Sequence, residues 1–308
     1  MNSEILAKIE GIESICVLYP RFQRIIDKLE TCRVESQLAG ESRSILIIGE
    51  TGAGKTKLIG QYLAKFPTEY TDDGKIIPVF HASLPAKATI KGVAKTILEA
   101  MGAPRAFAGD IVDLTNRLVK LIKNCGVELL ILDEFHHLLP TAGYKAAQGV
   151  SDWLKDLMNR TGIPIALVGL PECERLLEEN EQLDRRFVAI EELAAFNYVT
   201  DQKEYRKFLK AVDGQLPFLS GESSVHIYDP LCALRIYVAT QGRTGKTMTI
   251  IREAAKFAVK ENSQYLTEMH LDRAYNEFLK RRSGLRKSPW EMDNRELELN
   301  AVQLQVKR

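Results

Sequence analysis

The stretch that most constrains the fold is "GETGAGKT" (49–56), which satisfies the pattern G-x-x-x-x-G-K-[ST] in full. An apolar run, "SILIIG" (44–49), leads into it, and an amphipathic pattern, "KTKLIGQYLAKF", leads out of it. A glycine-rich loop in this position can curl its backbone N–H groups around phosphate oxygens, and the helix that follows adds partial positive charge. The stretch therefore predicts a strand–loop–helix unit that binds the phosphates of a nucleotide.

The residues of this loop have separate expected roles. Lys55 would reach the outer phosphates and take part in catalysis, and the Thr56 hydroxyl would ligate Mg²⁺. The residues predicted to contact the nucleotide here are Gly49, Glu50, Thr51, Gly52, Ala53, Gly54, Lys55, Thr56 and Lys57.

An acidic pair follows another apolar run. In "VELLILDEFHH" the run ends at Asp133, and Glu134 comes next. A carboxylate at a strand end can hold Mg²⁺, and a second one directly after it can act as the general base that polarises the attacking water. The pair predicts Asp133 as a ligand of Mg²⁺ and the nucleotide, and Glu134 as the catalytic base; a solvated strand end is the alternative.

We interpret His136 and His137 as a helix start, because adjacent helical side chains diverge by about 100° and do not easily hold one metal.

Five short apolar runs alternate with helical patterns in the first two thirds of the chain. The middle runs are continuous, which is typical of parallel strands buried on both faces. The predicted strands are 44–49, 76–80, 128–133, 163–169 and 187–190, and the predicted helices are 19–33, near 55–65, 89–101, 110–124, 145–160 and near 171–180. This alternation predicts an α/β fold with a five-stranded parallel sheet flanked by helices.

Beyond about residue 197 the strand patterns stop, and helical patterns such as "TGKTMTIIREAAKFAVKEN" follow one another. We interpret this part as a small all-helical domain. The predicted organisation is an N-terminal extension (1–18), an α/β nucleotide-binding domain (19–196), a helical lid domain (197–282) and a flexible C-terminal tail (283–308). Within the polar tail, "RKSPWEMDNRELEL" (286–299) is a candidate docking peptide.

The composition bears on partners and compartment. The 308 residues carry 42 Lys plus Arg and 41 Asp plus Glu, so the net charge of +1 gives no overall attraction to nucleic acid or membranes. A local basic patch is still compatible with this balance. We expect neither a membrane span nor a signal peptide, because no apolar run approaches roughly 20 residues and charges interrupt the first dozen positions. Five cysteines without CxxC spacing favour a reducing, cytoplasmic compartment.

Two arginines stand just before the fifth predicted strand, in "LDRRF". Arg185 and Arg186 are candidates for an arginine finger that completes the nucleotide site of a neighbouring subunit, and a surface arginine pair is the alternative. After the fourth predicted strand, Leu170 stands at a position where many ATPases with a phosphate loop of this kind carry a polar residue that contacts the γ-phosphate. We therefore expect that contact to be absent or to be made by Glu172.

The order of phosphate loop, acidic pair, RRF and helical lid resembles the AAA+ ATPases. Within this superfamily, four stretches resemble the TniB/TnsC family of ATP-dependent regulators of DNA transposition. They are "YPRF" (19–22), "LDEFHHLL" (132–139), "GIPIALVGLPE" (162–172) and "RRF" (185–187). The resemblance covers about residues 15–280, and its most specific piece is the acidic pair with its "FHHLL" extension. It implies an AAA+ P-loop NTPase core with a helical lid, and an ATPase that uses ATP and Mg²⁺.

The resemblance also implies partners. Members of the family assemble on double-stranded DNA as rings or helical filaments in the ATP state, and they link a TniQ-type target selector to a DDE transposase. Hydrolysis of ATP disassembles the filament. For this chain the resemblance implies a homo-oligomer in the bacterial cytoplasm, associated with DNA through sequence-nonspecific backbone contacts. The departure at Leu170 puts fast hydrolysis in question.

Basic residues after the second predicted strand are the candidates for DNA contact. The segment 85–102 contains Lys87, Lys91 and Lys95, and the last two lie four residues apart on one helical face. Such point charges suit contacts to phosphates without base recognition. Lys91 is the first choice, because it aligns by position with the DNA contact that the resemblance implies. A solvated lysine face is the alternative.

A second stretch, "GRTGKT" (242–247), ends in the same three residues as the phosphate loop. Thr240, and not a glycine, stands five residues before Gly245, and the preceding apolar residues have helical spacing. We therefore interpret the stretch as a turn between two lid helices. In the AAA+ plan a basic residue at the start of the second helix reaches the γ-phosphate, which implies Lys246, with Arg243 as the reserve.

The start of the first predicted helix would flank the base of the nucleotide in ATPases of this type. Tyr19 and Pro20 are therefore candidates for the adenine pocket. Ordinary packing of an aromatic side chain at a helix start is the alternative.

Two other functions fit the same motifs. A replication initiator or helicase loader of AAA+ type would carry the same phosphate loop and acidic pair. A STAND-type signalling nucleotide switch, which binds protein partners and not DNA, is the alternative of a different class. Such switches usually carry long repeat arrays behind the lid, and the sequence contains no internal repeat of that kind.

Overall fold

The structure, a computed structural model, describes residues 3–72, 74–104, 106–139, 144–219, 221 and 224–306. The strands are β1 (Ser44–Ile48), β2 (Glu69–Thr71), β3 (Gly74–Ile76), β4 (Val79–Ser83), β5 (Leu129–Asp133), β6 (Ile165–Gly169) and β7 (Phe187–Glu192). The helices are α1 (Ser3–Ser14), α2 (Pro20–Ala39), α3 (Lys55–Leu63), α4 (Ile90–Ala100), α5 (Ile111–Asn124), α6 (Tyr144–Thr161), α7 (Arg175–Glu178), α8 (Glu181–Asp184), α9 (Gln202–Asp213), α10 (Pro230–Thr240), α11 (Thr244–Lys260), α12 (Glu268–Phe278), α13 (Lys280–Ser283) and α14 (Asn294–Val306). Short 3₁₀ helices span Phe135–Leu138 and Pro171–Glu174.

The chain forms two compact units, which we call the sheet unit and the helical unit. The sheet unit comprises Pro20–Thr51 and Lys55–Leu193. The helical unit comprises the chain up to Tyr19, the loop residues Gly52–Gly54 and the chain from Ala194 onward. The change of unit between Leu193 and Ala194 lies near the expected border, whereas the N-terminal extension, the middle of the phosphate loop and the segment expected as a separate tail all group with the helical unit.

The sheet unit is built on a five-stranded sheet in the order β4–β5–β6–β1–β7. All of its pairings are parallel. Every residue of β1, β5 and β6 is buried, as expected for strands that are covered by helices on both faces. The predicted five-stranded parallel sheet is thus confirmed, and the carboxyl ends of its strands share one edge, where ligands bind in open α/β sheets.

Two amphipathic helices of the sheet unit show how local sequence sets the element borders. Thr89 caps α4 by accepting a hydrogen bond from the Gly92 N–H, and Asp110 with Asp113 forms a capping box at the start of α5. The apolar stripes of both helices, Val93 and Leu118 among them, belong to one buried cluster with the sheet. Burial of each such side chain contributes about 1.5–3 kcal/mol relative to exposure.

Some predicted elements are shifted or divided. The strand predicted at 76–80 is β4, which begins at Val79, because Pro78 has no N–H to donate to the ladder. The residues before it pair instead as the short β2–β3 hairpin. The helix predicted near 171–180 is divided into a 3₁₀ turn and α7, and α2 continues to Ala39.

The helical unit has its own buried cores. In α1, Ile12 packs with Ala255 and Val259 of α11. The ring of Tyr19 lies 5.2 Å from that of Phe196, measured between centroids. The expected all-helical character is therefore seen in the described part of this unit, where all assigned elements are helices.

The segment expected to be a flexible tail is folded in the structure. Its last described element is α14, in which Leu297 and Ala301 are both 0% exposed and which packs against α10. Before α14, the buried Ser288 hydroxyl donates to Asp272, and the Trp290 ring lies 6.1 Å from that of Tyr275. The segment is polar overall, but Leu297 and Ala301 stand four residues apart and so lie on one face of the helix, which is the face that is buried.

None of the helices in the described part of the chain combines the length and the apolarity that crossing a bilayer requires.

Candidate functional site

The phosphate loop connects β1 to α3. Its first residue is fixed by the sheet, because the Gly49 N–H donates to the Gly169 carbonyl at 3.1 Å. Gly52 and Gly54 have φ angles of 80° and 103°, in the left-handed region that favours glycine. The sequence thus folds into the expected strand–loop–helix unit, and α3 begins at Lys55.

Lys55 is buried, with 8% of its surface exposed. Its ammonium donates to the carbonyl oxygens of Gly49 at 2.5 Å and Glu50 at 3.3 Å. Burial lowers the pKa of Lys55, and the carboxylates of Glu134 and Asp133 partly offset that effect. A cation is therefore held against the loop within the field of the acidic pair, while Thr56 and Lys57 are exposed at the start of α3.

Asp133 is the last residue of β5 and is 3% exposed. One carboxylate oxygen accepts the Glu134 N–H at 2.8 Å, and the other lies 3.9 Å from His81 Nε2. Parallel pairing places Asp133 opposite Ser83, at the carboxyl edge of the sheet. This is the edge at which β1 leads into the phosphate loop, so the structure brings the predicted Mg²⁺ ligand and Lys55 to one region.

Glu134 has φ 56° and ψ 35°, which is a left-handed conformation. This conformation costs a residue with a side chain roughly 1–2 kcal/mol, and such strain clusters at functional sites. The Glu134 side chain is 39% exposed, so water can reach its carboxylate. The left-handed turn therefore places Glu134, the candidate general base, next to the buried Asp133.

His136 and His137 lie closer together than expected from adjacent helical positions. They belong to the 3₁₀ helix, and their ring centroids are 4.1 Å apart. His136 Nδ1 lies 3.4 Å from Glu134 Oε2. Burial and the neighbouring His137 lower the pKa of His136. One ligand atom from each of Glu134, His136 and His137 falls within 4.8 Å of the others.

The end of β6 is tightly packed. A Cβ on Gly169 would lie 2.5 Å from Cys173 Sγ and 3.3 Å from the His136 backbone nitrogen. Burial raises the pKa of the Cys173 thiol to about 12, so it packs as a small apolar group. Leu170 begins the 3₁₀ turn after the strand, and Glu172 is exposed within it. Sequence reasoning did not identify Cys173, whose only signal was its place after the strand.

Arg185 and Arg186 stand away from the acidic pair of their own chain. The Arg186 carbonyl accepts the N–H of Ser44, at the amino end of β1, which is the opposite edge of the sheet. Arg185 is exposed and pairs with Glu181 at 2.5 Å, and Arg186 donates to Asn159 at 2.6 Å. The structure therefore does not bring them to the site of their own chain.

The lysines predicted to contact DNA lie at and before α4. Lys87 and Lys91 are exposed, and Lys87 has a left-handed φ of 58° in the loop before the helix. The Lys95 ammonium lies 5.9 Å from the ring centroid of Phe107, which is 58% exposed. The structure thus adds an exposed aromatic ring beside Lys95, a feature that no periodic pattern of residues indicates.

The second Gly-Lys-Thr lies in the helical unit. Thr240 ends α10, Gln241 and Gly242 take left-handed φ angles, and α11 begins at Thr244, so the predicted turn between helices is confirmed. The Gly245 N–H donates to the Gly52 carbonyl at 2.8 Å.

Lys246 and Arg243 flank this contact. Lys246 Cγ lies 3.8 Å from where a Cβ of Gly52 would be. Arg243 is the residue that precedes α11. The start of α11 is therefore in contact with the Gly52–Gly54 part of the phosphate loop.

Tyr19 is 3% exposed and packs on Phe196 and Phe208, with its hydroxyl 3.3 Å from the Thr244 hydroxyl. Pro20 is exposed at the start of α2. The contacts of Tyr19 thus include the aromatic packing that was the alternative to an adenine pocket.

Known proteins resemble the chain in sequence and in fold. The chaperone protein ClpB of Wolinella succinogenes is 22% identical over 232 residues, which are 73% of this chain and 25% of the length of ClpB. The Aeropyrum pernix ORC2 protein, solved with ADPNP and ADP, superposes with a TM-score of 0.60 at 16% identity, over 94% of this chain and 74% of that one. The Aeropyrum pernix ORC1 protein in complex with DNA gives 0.58 at 18% identity, over 85% and 66% of the two chains. At these identities the likeness shows a common fold.

The sequence model of the family described as "Bacterial TniB protein" matches residues 9–196. The match includes the phosphate loop, the acidic pair and the arginines before β7, and it covers more than half of the 308 residues. The chain therefore belongs to the bacterial TniB family, as a member with the fold of the AAA+ ATPases.

Proposed function

We propose that this chain is an ATP-dependent regulator of DNA transposition. In the ATP state it assembles on double-stranded DNA and links a TniQ-type target selector to a DDE transposase. Hydrolysis then releases the assembly. The observation that carries the proposal is the family match over residues 9–196, which contain a complete phosphate loop and an acidic pair at one edge of the sheet.

The contacts of the described residues support a chemical role for each member of the site. Lys55 would place its charge at the outer phosphates. Thr56 and Asp133 would hold Mg²⁺, which would neutralise the charge that develops on the transferred phosphoryl group. Glu134 takes the proton of the attacking water. The buried position of Asp133 and the exposure of Glu134 suit this division of work.

Residues outside the acidic pair have proposed roles as well. Lys246, with Arg243 as the reserve, contacts the γ-phosphate from α11, and the closeness of Lys246 to Gly52 supports this. Arg185 and Arg186 serve the nucleotide of a neighbouring copy, since they lie at the other edge of their own sheet. Tyr19 and Pro20 flank the adenine.

Duplex DNA contacts Lys87, Lys91 and Lys95 through its phosphates. The exposure of Lys87 and Lys91 supports this, as does the fold shared with the Aeropyrum pernix ORC1 protein, which was solved in complex with DNA. Such contacts release counterions, so binding weakens steeply as salt is raised.

The test is the rate of ATP hydrolysis by the full chain with and without duplex DNA, together with its oligomer size. We expect DNA of arbitrary sequence to change both. If DNA leaves both unchanged, the transposition proposal is wrong, and a STAND-type switch that binds protein partners becomes the better account.

A second candidate is a replication initiator or helicase loader, favoured by the fold shared with the ORC2 protein. It predicts binding to a replicative helicase, whereas the transposition proposal predicts binding to a transposase. A pull-down with each purified partner distinguishes the two.

A further inference from the structure

We propose that Glu134, His136 and His137 form a second metal site, which takes zinc-class divalent cations in preference to magnesium, and that a bound zinc ion inhibits ATP hydrolysis. The inhibition rests on the proposed function, because it requires Glu134 to be the general base. The binding of the metal does not rest on it, so the two parts can be tested separately.

The spacing of the ligand atoms fits a tetrahedral ion. Zinc binds imidazole nitrogen and carboxylate oxygen at about 2.0–2.1 Å, which separates two ligand atoms of a tetrahedron by roughly 3.3 Å. His136 Nδ1 and Glu134 Oε2 are already 3.4 Å apart. A His137 nitrogen lies within 4.8 Å of both, so a small movement of this half-buried ring would bring the third ligand atom to the ion, and water completes the coordination.

His136 Nδ1 also needs a partner. The atom is buried and makes no hydrogen bond to any described residue, and its side chain is 14% exposed. A buried polar atom without a hydrogen bond has lost its hydration without compensation, which is unfavourable. A cation between His136 and Glu134 would satisfy this nitrogen and hold the carboxylate at the same time.

The backbone holds the three side chains in place. The left-handed turn at Glu134 leads directly into the 3₁₀ helix, which carries both histidines. The backbone of His136 is fixed against β6, since a Cβ on Gly169 would lie 3.3 Å from its nitrogen. A site on constrained backbone loses little conformational entropy when the ion binds.

Ligand chemistry separates this site from the proposed Mg²⁺ site. Magnesium prefers oxygen ligands, such as the Thr56 hydroxyl and the Asp133 carboxylate. Two imidazoles and a carboxylate suit zinc, cobalt, nickel or copper. Zinc bound to Glu134 withdraws negative charge from the carboxylate and makes it a poorer acceptor for the proton of the attacking water, so turnover is inhibited even when Mg²⁺ and ATP are present.

The binding test titrates the nucleotide-free full chain with Zn²⁺ by calorimetry and with Co²⁺ by visible absorption. Wild type should bind one ion at this site, and the double variant His136→Asn/His137→Asn should bind it at least about 100-fold more weakly, because it loses two ligands. His226→Asn is the matched control, since His226 also pairs with a carboxylate, Asp213, at 2.9 Å. It should bind as wild type does. If the double variant binds zinc with wild-type affinity, the site is not there.

The inhibition test measures ATPase rates in saturating Mg²⁺ and ATP, with free zinc buffered around the measured Kd. Wild type should lose half of its rate near that Kd and recover it with a zinc-selective chelator. The double variant, compared with its own zinc-free rate, should be insensitive. Equal fractional inhibition of both proteins overturns the inhibitory part. If the wild-type chain does not hydrolyse ATP even in the absence of zinc, the proposed function is wrong. The binding titration would still test whether the metal site exists.

Discussion

At the scale of single residues, Glu134 combines a strained backbone with an exposed carboxylate next to the buried Asp133. Substitution Glu134→Gln keeps the size and removes the proton acceptor. We expect ATP binding to be retained and turnover to fall by about 10²–10⁴-fold, the usual contribution of a general base. Steady-state hydrolysis and equilibrium binding of a labelled nucleotide measure the two effects.

Glu179→Gln is the control for this substitution, since Glu179 is an exposed carboxylate outside the site. It should leave both quantities unchanged. Turnover at the wild-type rate in Glu134→Gln would show that another group takes the proton.

The sequence predicted some residues of the site well, for a physical reason. The glycines of the phosphate loop and the strand before it define a local geometry, so Lys55 had to begin a helix. Asp133 ends a continuous apolar run, which marks a strand end. The approach of His136 to Glu134 depends on a left-handed φ at a residue other than glycine, and no residue pattern encodes that angle.

At the scale of elements, the start of α11 packs against the phosphate loop without room for a methyl group. A Cβ on Gly245 would lie 2.3 Å from the Gly52 carbonyl oxygen. We expect Gly245→Ala to lower the free energy of unfolding by about 1–3 kcal/mol through overpacking, which outweighs the gain in helix propensity. It should also weaken ATP binding, because the Gly52 backbone must shift. Urea unfolding and nucleotide titration measure both.

Gly60→Ala is the matched control for that change. Gly60 lies inside α3, and a Cβ there would meet nothing within 4 Å. It should leave stability unchanged or raise it by up to about 1 kcal/mol. A Gly245→Ala variant as stable as Gly60→Ala would mean that α11 does not rest on the loop.

The last helix, α14, gives a second prediction at this scale. Leu297 is fully buried, and we expect Leu297→Ala to lower the free energy of unfolding by about 2–5 kcal/mol through the cavity it leaves. Leu299 lies in the same helix and is 54% exposed, so Leu299→Ala should change stability by no more than about 0.5 kcal/mol. Thermal unfolding of the two variants compares them. Equal effects of the two substitutions would show that α14 does not pack through Leu297, and the predicted flexible tail would then be the better description.

Elements with continuous apolar runs were predictable, because strands buried on both faces need no alternation. The wrong predictions concern segments in which the local sequence pattern and the packing in the folded chain favour different structures. Pro78 displaced the predicted second strand, and the partner of α14 is distant in sequence, so the polar tail gave no sign of its buried face. Leu297 and Ala301 become recognisable as core residues once α10 is seen beside them.

At the scale of the whole molecule, the charges nearly cancel, with a net charge of +1. One copy therefore offers DNA little more than the local field of Lys87, Lys91 and Lys95. Each contact between a lysine and a DNA phosphate contributes only a small part of the binding free energy and is screened by salt. Under the proposed function, stable binding to DNA would therefore require many copies side by side. The proposal attributes the joining of neighbouring copies to ATP held between them.

The most direct test of this account is sedimentation of the full chain on duplex DNA of arbitrary sequence, with ATP, with a non-hydrolysable analogue and without nucleotide. We predict large DNA-bound assemblies with ATP, longer-lived ones with the analogue, and none without nucleotide. Lys55→Ala should form none under any condition, because the loop loses its phosphate-binding charge. Assemblies of equal size without nucleotide, or in Lys55→Ala, would contradict the claim that ATP in this loop controls assembly on DNA.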